Sequence, residues 1–248
     1  MNVAVLFSGG KDSVFSCYWA LQQGWDVRCL VTLVPTAQDS WMFHTPNIHL
    51  TVLQAQAMGI PIITHKTSGK KEEELKDLKD ALMQARRHAK VEGLVVGALA
   101  SDYQHERVNR ICEDVGLKTF APLWHKDQDR LLAEMINCGF EIIVQSIAAD
   151  GLDVSWLGRR IDKLAIEDLK KLHQKLGLHV AGEGGEYESF VLDGPIFQRR
   201  LAIRSAEKIM EDEHTGVLKI FEVDVQEKKK INSLPQKISG KRSHRVFE

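Results

Sequence analysis

Three clusters of side chains in this 248-residue chain have the types and spacing to do chemistry. The first is Ser8-Gly9-Gly10-Lys11-Asp12-Ser13. Two glycines let backbone come close to a phosphate with no Cβ between them. Lys11 adds a mobile positive charge, and Ser8 and Ser13 add hydroxyl donors. Asp12 is the odd member, since a carboxylate repels phosphates unless a cation such as Mg²⁺ lies between them. Asp12 therefore reads either as a metal ligand or as a helix N-cap. The second cluster is Gly182-Glu183-Gly184-Gly185-Glu186-Tyr187-Glu188-Ser189, three glutamates within six residues. On a bare loop they repel one another, and a cation would relieve them, whether Mg²⁺, ammonium or a positively charged substrate. The plainer alternative is a solvated acidic turn at a hairpin. The third runs from Gly97 through Ser101-Asp102-Tyr103-Gln104 to Arg107. Gly97, Ser101 and Asp102 are read as facing a nucleotide, and Tyr103, Gln104 and Arg107 as facing a second substrate. The alternative is a helix cap with surface salt bridges.

The elements that must position these clusters follow from periodicity. Asn2 to Phe7 is a short apolar run with β-branched residues, a buried strand. A helix is expected over Val14 to Gln23, stopped by Gly24. Strand, glycine turn and helix N-terminus together make an anion site, because the first helix amides lack partners and the macrodipole favours negative charge there. Further strands are expected at Val27 to Leu33, Pro61 to His65 and Leu94 to Gly97, with helices at His49 to Met58 and Lys70 to Lys90. The run Lys70-Lys71-Glu72-Glu73-Glu74 reads as a solvated first turn. A loop from Val34 to Pro46 carries Trp41-Met42-Phe43-His44. His44 is read as lining a substrate pocket, and Trp41 and Phe43 as packing between domains.

Strands alternating with helices to about Phe120 make a doubly wound α/β domain with a parallel sheet. Pro122-Leu123-Trp124 marks a boundary, so residues 1–120 are expected to form one domain and 121–230 a smaller α+β domain. In the second, helices are expected at Asp129 to Cys138 and Ile166 to Leu176, and a strand at Glu141 to Ile147. Leu201 to Met210 and Val217 to Val225 should form a hairpin. Residues 231–248 are expected to be a basic, disordered tail: from Lys228 on there are seven Lys or Arg against one acid.

Hydrophobic content of 44%, charged content of 27% and a net charge of −1 belong to an ordinary globular protein and give no overall bias towards nucleic acid or membrane. No apolar run is long enough for a bilayer, and the first strand is too short for a signal peptide. The expectation is a cytoplasmic protein that does not bind nucleic acid directly. Cys17, Cys29, Cys112 and Cys138 have no C-x-x-C spacing and read as buried thiols.

The first cluster is not a Walker A loop, which requires G-x-x-x-x-G-K-[ST]. It resembles the pyrophosphate loop of N-type ATP pyrophosphatases, a group that includes asparagine, NAD and GMP synthetases and several tRNA-modifying enzymes. Gly97-Ala98-Leu99-Ala100-Ser101-Asp102-Tyr103-Gln104, Pro122-Leu123-Trp124, Trp156-Leu157-Gly158-Arg159 and Gly182 to Ser189 then narrow the resemblance. In order, over roughly residues 1 to 195, they look like the diphthamide synthetase (diphthine–ammonia ligase) family. The resemblance implies a PP-loop fold of the adenine nucleotide alpha hydrolase kind, with ATP and Mg²⁺ as cofactors. It implies cleavage of ATP to AMP and pyrophosphate, and diphthine on translation elongation factor 2 as the substrate, amidated through an acyl-adenylate.

Under that resemblance Lys11, Asp12, Glu183 and Glu186 are the catalytic candidates, and Ser8 to Ser13 hold the phosphates. His44, Gly184, Gly185, Tyr187 and Glu188 face the substrate. Diphthine carries a trimethylammonium group, which glutamates and a tyrosine ring suit by charge and by cation–π contact. The same glutamates suit ammonium, either binding or deprotonating it. Position 2 is Asn, where an N-terminal-nucleophile glutaminase would need Cys, so ammonium or a partner protein is expected to supply the nitrogen. The rivals are another ATP pyrophosphatase, acting on tRNA or a small acid, and an ATP-sensing module without turnover. Neither explains the glutamates. Oligomeric state is left open.

Overall fold

The computed structural model describes residues 1–36, 46–68, 70–97 and 102–228. Its first half is a parallel sheet of β1 (Asn2–Leu6), β2 (Asp26–Pro35), β3 (Ile62–Thr67), β4 (Gly93–Val95) and β5 (Lys118–Phe120). The helices between them are α1 (Lys11–Gln22), α2 (Thr51–Met58), α3 (Lys71–Ala89) and α4 (Asp102–Val115). The strand order is β3-β2-β1-β4-β5. Order reverses between β1 and β4, and the crevice at their carboxyl ends is where open α/β sheets bind ligands.

Strand alternation sends side chains to two cores. Ala4, Cys29, Val31 and Leu94 face α3 and α4, packing on Leu78, Leu82, Val108 and Cys112. Val3, Val5 and Leu30 face the other way, towards Val14 and Cys17 of α1 and Ala55 and Met58 of α2. That second core does not stop at the first sheet. It continues into Phe140, Ile142, Leu169, Phe190 and Ile220, with Phe140 edge-on to Phe15 and to Tyr18 at 5.5 Å each.

The second half holds α5 (Gln128–Asn137), β6 (Glu141–Ala148), α6 (Lys163–Leu176), β7 (Tyr187–Asp193), β8 (Arg199–Met210) and β9 (Thr215–Glu227). Its antiparallel sheet runs β7-β6-β9-β8. The β8–β9 pair is the expected hairpin, its turn tied by Asp212 Oδ1 accepting the His214 and Thr215 amides. The Trp156 to Arg159 motif is structural. Arg159 stacks on Trp156 at 4.2 Å and pairs with Asp168 at 2.6 Å, while Gly158 N–H donates to Val144 O of β6. Among the described residues no helix is long and apolar enough to cross a membrane.

Three expectations need correction. The first helix begins at Lys11 rather than Val14, because Gly10 takes the extended cap conformation and its carbonyl accepts the Val14 amide. The acidic stretch is not a loop throughout: from Tyr187 it is edge strand β7, carried by Tyr187, Phe190, Val191 and Leu192. Glu74 is not solvated. It is fully buried, since it continues the four-residue stripe of Leu78 and Leu82 on the inner face of α3. The aromatic loop at 41–44 and residues 231–248 lie outside the described residues.

Local signals in the second half behave as expected of caps. Asp162 accepts the Ala165 amide at 2.9 Å at the start of α6. Asp162→Ala should therefore cost about 1 kcal/mol, read as a lower urea midpoint at unchanged m-value.

Candidate active site

The glycine loop leaves the end of β1 and turns straight into α1. Gly9 sits at φ +80, where a side chain would be strained, and a Cβ there would lie 2.2 Å from Gln54 Oε1. Ser13 Oγ donates to Gly10 O at 3.0 Å and accepts the Ser8 amide at 3.3 Å, closing the loop on itself. Gly97, at the carboxyl end of β4, passes so close that a Cβ would lie 3.1 Å from Ser13 N. The first and third clusters thus meet at the switch point, where a side chain at Gly97 would crowd the start of α1.

Lys11 is almost wholly buried, and its Nζ pairs with Asp12 Oδ2 at 2.7 Å. Asp12 does not cap the helix, because Gly10 holds that position. Its other oxygen, Oδ1, is buried and has no hydrogen-bond partner among the described residues. An orphaned carboxylate oxygen beside a helix N-terminus and a lysine fits a divalent cation shared with phosphates.

The second cluster comes to the first through β7. The Lys11 amide donates to Ser189 Oγ at 3.0 Å, and the Val191 amide donates to Gly9 O at 3.2 Å. Lys11 Nζ stands over the Tyr187 ring, 5.8 Å from its centroid. Tyr187 is buried and its hydroxyl donates to Val180 O at 2.8 Å, so one ring face looks towards Lys11 and the phenol is already engaged. Burial, and then the charges of Asp12 and Glu186, hold its pKa well above the usual phenol value. Glu188, next along, has its carboxyl pushed up to about 7 by burial, against the opposing pull of Lys11.

The three glutamates have different surroundings. Glu186 turns back on its own loop and accepts the His179 amide at 2.9 Å. Glu188 lies in the field of Lys11, and Glu183 is half-buried on the preceding turn, beside the exposed Gly184 and Gly185. Among the described residues no group of three His, Cys, Asp or Glu is disposed to hold a metal ion. Lys11 offsets the charge of Glu188.

Arg107 is half-buried on α4, while His44, Ser101 and the side chains of Asp102, Tyr103 and Gln104 lie outside what the structure describes. Trp124, from the Pro-Leu-Trp motif, packs against His105 of α4 with ring centroids 4.4 Å apart. The four cysteines are unpaired, and burial raises Cys17 to about 12, which leaves an inert thiol. Sequence reasoning missed Gln54, Gln145 and Ser189, all buried polar residues around the loop. Ser189 was at hand as the last member of the glutamate motif, whereas a lone glutamine on a helix or strand carries no signal.

Comparisons with known proteins agree on one family. A model of the diphthamide synthase N-terminal domain matches residues 1–119, and one of the C-terminal domain matches residues 127–226. The diphthine–ammonia ligase of Bos taurus is 36% identical over 84% of this chain and 85% of its own length. That of Homo sapiens is 33% identical over 95% and 96%. That of Danio rerio is 32% identical over 94% and 100%. Among solved structures, the U34-tRNA thiolase NcsA from Methanococcus maripaludis overlaps 55% of this chain and 57% of its own, at a TM-score of 0.37 and 18% identity, and no inference attaches to a likeness of that size. On two domain models that together span nearly the whole described chain, and on full-length relatives above 30% identity, the chain belongs to the diphthamide synthase family.

Proposed function

We propose that this chain is an ATP-dependent amide ligase that converts diphthine on translation elongation factor 2 to diphthamide, with ammonium as nitrogen donor and AMP and pyrophosphate as products. The observation that carries the reading is the joint between the two clusters. Ser189, the last residue of the glutamate motif, holds the first amide of the phosphate-loop helix. That bond supports reading the loop and the glutamate motif as parts of one site, as an amide ligase requires. The names of the full-length relatives supply the substrate.

The residues divide the work as follows. Ser8, Gly9, Gly10 and Ser13 cradle the phosphates, and Gly97, Ser101 and Asp102 are assigned to the rest of the nucleotide. Lys11 and the amides of α1 stabilise charge as the substrate carboxylate attacks the α-phosphorus and pyrophosphate departs. Asp12 is the residue that would hold Mg²⁺, which when bound offsets phosphate charge. Glu183, Glu186 and Glu188 form an acidic wall for trimethylammonium and ammonium, with Tyr187 fixing the strand behind it. His44, Tyr103, Gln104, Arg107, Gly184 and Gly185 complete the substrate side. Ammonia attacks the acyl carbon, the acyl–phosphate bond breaks, and AMP leaves. The reaction belongs in the cytoplasm, with its protein substrate.

The test uses α-labelled ATP, Mg²⁺, ammonium and elongation factor 2 stopped at diphthine. Labelled AMP should appear only when all four are present. ATP binding with no AMP above background would remove the diphthine assignment and favour an ATP-sensing module.

A further inference from the structure

Two side-chain amides, each wholly buried, hold the phosphate loop against the glutamate-bearing strand. Gln54 on α2 donates from one Nε2 to Gly9 O at 2.9 Å and to Val191 O at 2.8 Å, so a single group bridges loop and β7. Gln145 lies where the β6–β7 register shifts, and its Nε2 donates to Ser189 O at 3.0 Å. Its Oε1 accepts from Asn47 Nδ2 at 3.1 Å, and Asn47 in turn accepts the Ile220 amide of β9.

Satisfying Gly9 O does not account for the Gln54 bond to it. Gly9 O already accepts the Val191 amide, so the bond from Gln54 is a second one on the same oxygen. Gln54 Oε1 meanwhile is buried with no partner among the described residues, which costs stability. A leucine or methionine would fill the space without that cost. What the amide adds is a defined span between Gly9 and Val191, and Gln145 adds the same for Ser189, which holds Lys11.

Resting on the amide-ligase reading above, we propose that Gln54 and Gln145 are positioning residues that set the span between the phosphate loop and the glutamate strand, so that the activated acyl group meets ammonia before water. Adenylation draws on groups of the loop itself and tolerates a looser span. Amide formation needs ammonia, held at the strand, within reach of an acyl carbon held at the loop, and a small displacement there is costly. A loosened clamp therefore lets water attack the acyl-adenylate, breaking the acyl–phosphate bond to give back the carboxylate and AMP.

The measurement is the ratio of AMP released to amide formed, in the full chain, with ATP, ammonium chloride and diphthine-bearing elongation factor 2. Unaltered protein should give about one AMP per amide. Gln54→Met and Gln145→Met should each raise that ratio roughly tenfold, in line with the loss of one or two buried hydrogen bonds. Equal falls in both products, with the ratio still at one, would make the glutamines merely structural and overturn the proposal. Should either variant fail to fold, Ser189→Ala removes only the oxygen that holds Lys11, and the same rise is expected of it. Absence of AMP from the unaltered protein would instead overturn the ligase reading, and the proposal with it.

Discussion

Replacing Lys11 with methionine is expected to slow AMP formation by roughly 100- to 1,000-fold, the size of effect seen when a single preorganised charge-stabilising donor is lost. Methionine keeps much of the buried stem, so the loss is of charge rather than packing. The consequence is larger than the removal of one donor. Lys11 Nζ is the partner of Asp12, whose second oxygen is already unpaired. Without the ammonium, the mouth of the loop turns from mixed to acidic, just where phosphates must enter. Glu188 also loses the one group that holds its pKa down. The check is turnover of α-labelled ATP beside a thermal melt. A variant that melts like the parent and turns over within about threefold of it would rule out Lys11 as the charge-stabilising group.

Glu188→Gln carries the second large effect. Amide formation should fall about 100-fold, as expected when a buried charge that holds the cationic substrate groups is lost. A pH signature separates this from damage to the site. Burial raises the Glu188 carboxyl from an ordinary 4.5 to about 7, with Lys11 opposing. Between those values the folded protein keeps a proton that the unfolded chain has released. The contribution of Glu188 to stability is thus whole below pH 4.5, declines as pH rises towards 7, and stays at its reduced level above. The parent should lose melting temperature across that window, and Glu188→Gln should lose less, so that the variant gains on the parent at pH 8. ATP adds a further linkage, because phosphates that engage Lys11 weaken its pull on Glu188 and drive the carboxyl higher still. Identical pH profiles for parent and variant would show that Glu188 does not titrate in this range.

The geometry of the glycine loop was legible because every determinant is local. A strand, two glycines and a helix start lie within a dozen residues, and each acts on its neighbours. The glutamate motif was legible by composition only. Its placement depends on a hydrogen bond between Lys11 and Ser189, 178 residues apart, and no local pattern encodes such a distance. Glu74 misled: its charge pointed to solvent, but its place on the stripe of Leu78 and Leu82 put it inside. Gln54 and Gln145 were invisible because a buried glutamine is defined by the carbonyls around it, which only the fold assembles.

The two cores of the first sheet have different histories during synthesis. The one against α3 and α4 is complete once Leu117 has been made. The other needs residues as late as Ile220, about a hundred further on. At ~5–20 residues per second, the nascent chain spends on the order of ten seconds with Val3, Val5, Val14 and Phe15 lacking their final cover. The phosphate loop shares that interval, since Ser189 and Val191 are among the residues still to come. A ribosome-bound half-chain should accordingly be a client for chaperones that shield apolar surface, and its glycine loop should reach its final contacts only once Ser189 and Val191 have been made.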